Sequence, residues 1–159
     1  MQTDAAELLS LARHYCELIE SLGEGNRAPL AQLNAVLPRL HAAMTGVGPP
    51  HIEGADETGE DLDQRFELFS RLRNRLGELD AYWMEFDIAP DRQEMSGSLA
   101  DDLTDIYCEL KHGLQGLERS NDTRLTLGRW RTGFCKHWGQ HVVDAERHLY
   151  ALSARDRLY

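Results

Sequence analysis

Residues 99–117, LADDLTDIYCELKHGLQGL, decide the fold class. Leu99, Leu103, Ile106, Leu110, Leu114 and Leu117 recur at intervals of three and four. That spacing lines up one face of an α-helix and does not arise from strand alternation. Ser98, with Asp101 three residues on, supplies a capping arrangement at its start. Asp102, Asp105, Glu109 and His112 run down one side of this helix. At about 100° per residue Asp105 and His112 lie far from the centre of the leucine stripe, so both are expected to meet water.

Working outward, nearly every long segment keeps the same period and none alternates as a half-buried strand would. A first helix is expected from Asp4, with Glu7 as the other half of a capping box, to the stop at Gly23 and Gly25. A second opens around Pro29, runs to about Met44 and should kink at Pro38. Residues 45–60, TGVGPPHIEGADETGE, read as a mobile acidic loop rich in glycine and proline. LDQRFELFSRLRNRL, residues 62–76, is a third helix, expected to continue past Gly77 through ELDAYWMEF with Tyr82, Trp83 and Phe86 packed in the core. DIAPDRQEMSG, residues 87–97, is a second loop. A fifth helix should start at Asp122 and run to Leu152, with Gly128, Gly133 and Gly139 each costing roughly 1 kcal/mol that packing must offset. The reading is all-α: a single-domain bundle of about five helices over residues 1–159, the fourth and fifth packed side by side.

The bulk numbers agree with one domain, since 159 residues can bury a single core. The net charge is −10, and residues 1–100 hold 18 acidic against 8 basic side chains, whereas residues 101–159 hold nine of each. Such a field repels phosphate backbones and anionic lipid, which argues against nucleic acid or a membrane as partner and leaves a basic protein as a suitable one. Arg71, Arg73 and Arg75 are interspersed with Glu67, Glu78 and Asp80, a solvated face rather than a phosphate site. Cys16, Cys108 and Cys135 show no metal spacing and are expected to be reduced and mostly buried. Without a basic and apolar leader or a long apolar span, a cytoplasmic protein is expected.

One polar constellation carries potential chemistry. In CKHWGQHVVDAERH, residues 135–148, His137, His141, Asp144 and His148 fall within about 60° of one another on a helix. With the carboxylates of helix four they could hold zinc or iron. However, His141 projects near the middle of the apolar stripe formed by Leu127, Trp130, Phe134, Trp138, Ala145, Leu149 and Leu152. A buried imidazole satisfied by a carboxylate or tyrosine is the commoner outcome, so a structural polar seam is preferred. Cys135 and His137 point apart, and no phosphate loop, GxSxG or HExxH is present.

SLADDLTDIYCELKHGL (98–114), followed by FCKHWGQHVVDAERHLYAL (134–152), resembles the bacterial family catalogued as domain of unknown function 5063. LARHYCELIE (11–20) and LGELDAYWMEFD (76–87) belong to the same likeness, which spans most of the chain. The resemblance implies a compact helical protein and no stated activity. It singles out Asp101, Asp102, Asp105, Ile106 and Tyr107, then Trp138, Gly139, Gln140 and His148, and allows other residues at position 137 and lysine at 141. It therefore implies a polar network between helices four and five, in which Glu109 also has a place by spacing. The resulting expectation is a non-enzymatic acidic module, without metal or cofactor, that binds an unknown protein or itself. The alternative is a metal-binding or acid-base site of His137, His141, Asp144, His148 and the helix-four carboxylates.

Overall fold

The computed structural model describes residues 4–23, 26–49, 61–85 and 94–158. Their order is α1 (Ala5–Ser21), α2 (Ala28–Gly46), α3 (Leu62–Leu76), β1 (Ala81–Glu85), β2 (Glu94–Ser98), α4 (Leu99–Ser120), α5 (Thr123–Gly133) and α6 (Gly139–Ala154). A π-helical turn, Phe134–Trp138, joins the last two without leaving helical backbone angles. The all-α expectation holds, with one small exception.

The exception lies after Gly77. Its backbone has φ 54°, a left-handed conformation that favours glycine and ends α3, so the helix does not continue through ELDAYWMEF. A single 3-10 turn follows, and then β1 and β2 pair antiparallel, Tyr82 opposite Gly97 and Trp83 opposite Ser96. Alternation turns Tyr82 inward and leaves Trp83 69% exposed, against the expectation that Trp83 is core. Part of the anticipated second loop is thus strand, while Phe86 lies outside the described residues.

The expected helix starts are present. Asp4, Asp61, Ser98 and Asp122 each accept a hydrogen bond from the first turn of the helix they precede. Glu7 does not close a capping box; it reaches Arg39 of α2 at 3.3 Å. α2 continues through Pro38 and past Met44 to Gly46, and most of the anticipated mobile loop, residues 50–60, lies outside the described residues.

α4 is the centre of the bundle, with α1, α3, α5 and α6 all packed on it. Leu99, Leu103, Ile106 and Leu110 are fully buried, as are Leu8, Tyr15 and Ile19 of α1 and Val142, Ala145 and Leu149 of α6. Burial of the leucine, isoleucine and valine side chains among these, about 1.5–3 kcal/mol each, is the main favourable term. A helix surrounded in this way has little solvent face near its N-terminus, so Asp102, Thr104 and Asp105 are buried as well. That overturns the expectation that Asp105 meets water, whereas His112 is exposed as expected. Among the described residues no helix is long and apolar enough to cross a membrane.

Candidate functional site

α4 and α6 run antiparallel, which sets Asp102 and Asp105 opposite His141. Nδ1 of His141 donates to Oδ1 of Asp102 at 2.8 Å, and Nε2 donates to Oδ2 of Asp105 at 2.8 Å. Only the imidazolium can donate from both nitrogens. Burial on its own would lower the pKa of His141, but the two carboxylates outweigh it and lift it to about 10.

Each carboxylate has further partners. Arg65, from α3, sends Nε to Oδ1 of Asp105 at 2.8 Å and a terminal nitrogen to both Asp105 and Asp101, the latter at 3.0 Å. The hydroxyl of Tyr82, from β1, donates to Oδ2 of Asp102. Burial raises the pKa of Asp102, its bonds from His141 and Tyr82 opposing the rise. Burial acts the same way on Asp105, yet His141 and Arg65 together hold it below the usual carboxylate value. The cluster therefore ties α3, α4, α6 and the hairpin at one point.

A second arm runs from Tyr82 to His148, whose rings stack at 4.8 Å. Nε2 of His148 donates to the carbonyl of Leu79 at 2.6 Å, and burial lowers the pKa of this imidazole. Next to it Asp80 accepts from the Ser98 hydroxyl at 2.9 Å and from the Ala100 amide at 2.7 Å, an anion at the N-terminus of α4 where the helix dipole favours it.

Of the residues anticipated from sequence, Asp101, Asp102, Asp105 and His141 come together, with His137 at their edge and His148 one ring away. His137 has Nε2 3.8 Å from Oδ2 of Asp105, its ring edge-on to His141 at 5.0 Å, and a side chain 55% exposed. Gln140 and Asp144 pair with each other at 3.0 Å toward solvent. Tyr107 bonds Glu20 of α1 instead, and the Glu109 carbonyl accepts from Trp130 Nε1 at 3.0 Å. Trp138 is core, its Nε1 donating to the Trp130 carbonyl at 3.2 Å. Spacing along the chain gives no hint that Arg65 or Tyr82 reaches the cluster, since each arrives from another element.

Among the described residues two groups hold ligand atoms close enough for a cation: Asp105, His137 and His141, and Asp101, Asp102 and His141. None of the three cysteines forms a disulfide; Cys16 is buried, but Cys135 is exposed, against the expectation for it.

A family model described as domain of unknown function (DUF5063) matches residues 1–155. The crystal structure of protein BF1032 from Bacteroides fragilis is similar, with TM-score 0.74 and 22% identity over 92% of this chain and 90% of that one. At that identity the likeness shows the fold alone. No curated protein matches the chain.

Proposed function

This chain belongs to the DUF5063 family, and on that footing we propose that it is a non-enzymatic, acidic helical module that binds a protein partner through the outward face of α3. The observation that carries this reading is a pair of large apolar side chains left in water: Leu62 is 68% and Phe66 67% exposed, one helical turn apart. Exposed Asp61, Asp63 and Glu67 flank them, while Arg65, the cation of that stretch, is turned inward onto Asp101 and Asp105. The outward face is therefore apolar with an anionic rim. It suits a segment carrying apolar anchors among lysines and arginines. We place the protein in the cytoplasm, where its three cysteines, none in a disulfide, would stay reduced.

The test compares wild-type protein with the Leu62→Ser/Phe66→Ser double variant as bait in an extract of the native cell. A basic protein retained by the first, lost by the second and released by salt supports the reading. The same proteins on both baits, or none on either, overturns it.

A further inference from the structure

The geometry points to a divalent-metal site of the zinc type, formed by Nε2 of His137, Nε2 of His141 and Oδ2 of Asp105. It goes beyond the association reading above and stands or falls separately. One ligand atom from each of the three residues lies within 4.8 Å of the other two, and Nε2 of His141 is 2.8 Å and Nε2 of His137 3.8 Å from Oδ2 of Asp105. A zinc ion about 2.0–2.2 Å from each of its ligands sets them roughly 3.3 Å apart. Small side-chain rotations therefore suffice to seat one.

Three further features fit a metal better than a bare ion pair requires. Asp102 holds Nδ1 of His141, which is the outer carboxylate that fixes a ligating imidazole and raises its basicity. Arg65 occupies Oδ1 of Asp105 and leaves Oδ2 directed at the histidines. His137 stands in the π-helical turn, a rare distortion that gathers at functional sites, and it leaves the outer side of the triad open to solvent. Charge agrees as well. The metal displaces the Nε2 proton of His141 to solvent and takes over its bond to Asp105; Asp101, Asp102 and Asp105 against Arg65 then leave two negative charges, which a divalent cation neutralises. Two imidazoles, one carboxylate and an open position suit zinc or iron(II), and exclude a preference for calcium or magnesium.

The experiment titrates cobalt(II) into untagged, chelator-stripped full-length protein at neutral pH, reads its visible absorption, and then competes with zinc. One equivalent should bind and be displaced by zinc. Binding should fall at least tenfold in His137→Ala and in His141→Lys, and about 10- to 100-fold in Asp102→Asn, whereas His112→Ala should retain it. His141→Lys preserves a cation between Asp102 and Asp105, so an unchanged thermal midpoint shows that loss of binding is not loss of fold. No cobalt spectrum in the wild type, or one unaltered by His137→Ala and His141→Lys, overturns the proposal.

Discussion

At His141 a single side chain bonds two carboxylates that burial would otherwise make costly. Asp102 and Asp105 are only 3% and 6% exposed. Removing one member of a buried ion pair strands the other, at roughly 3–5 kcal/mol. His141→Ala should therefore cost about that much in chemical denaturation at neutral pH, and His141→Lys about 1 kcal/mol or less, since a cation remains. An alanine variant as stable as the wild type would show that the carboxylates are not held by this ring. His148 gives the opposite electrostatic signature. Its pKa falls on folding, first through burial, so below the unfolded value near 6.5 the unfolded chain binds a proton that the native state does not. Its contribution is complete above pH ~6.5 and is lost as pH falls through the lowered folded value. His148→Gln, which cannot titrate, should flatten that part of the stability profile, and an unchanged slope would remove His148 as its source.

The glycines of the last helical rod are not equivalent elements of one pattern. A Cβ at Gly128 would meet nothing within 4 Å, whereas one at Gly139 would lie 2.5 Å from the carbonyl oxygen of Phe134, which the Gly139 amide itself bonds to close the π turn. Gly128→Ala should thus stabilise by up to about 1 kcal/mol, and Gly139→Ala should destabilise by roughly 1–3 kcal/mol. Equal shifts in denaturation midpoint would contradict this. From spacing alone both positions carry the same penalty, because sequence reports that a Cβ is missing and not what stands beside it. The same limit explains the rest. The leucine stripe of α4 and the caps at Asp4, Ser98 and Asp122 are local and were legible. The five-residue strands are too short to show alternation distinct from helix, and the left-handed backbone of Gly77 that separates them from α3 has no unique signature. Asp105 was misplaced because one stripe predicts one buried face, while α4 is enclosed by neighbours on several.

Across the whole molecule, burial is uneven. α1, α2, α4 and α6 share the core, but α3 fully buries only Leu72 and Leu76 and packs chiefly on α4. Its N-terminal half is fastened by Arg65 on Asp101 and Asp105, and its C-terminal half by Arg75 on the carbonyl of Leu22. A helix with so little apolar burial should open locally at a free energy well below that of global unfolding. The apolar and acidic face proposed for a partner lies on this same element, so binding there would act on the least stable part of the fold. Hydrogen exchange should accordingly show weaker protection over residues 62–76 than over α1, α4 and α6. Arg65→Ala removes charge-assisted bonds of about 1.5–3 kcal/mol, so it should lower α3 protection by tenfold or more. The effect on α1 should be much smaller, since its buried leucines pack on α2 and α4 without Arg65. Equal protection in all four helices, or an equal loss in each on substitution, would mean that α3 unfolds only with the whole chain and that its outer face is part of one cooperative unit.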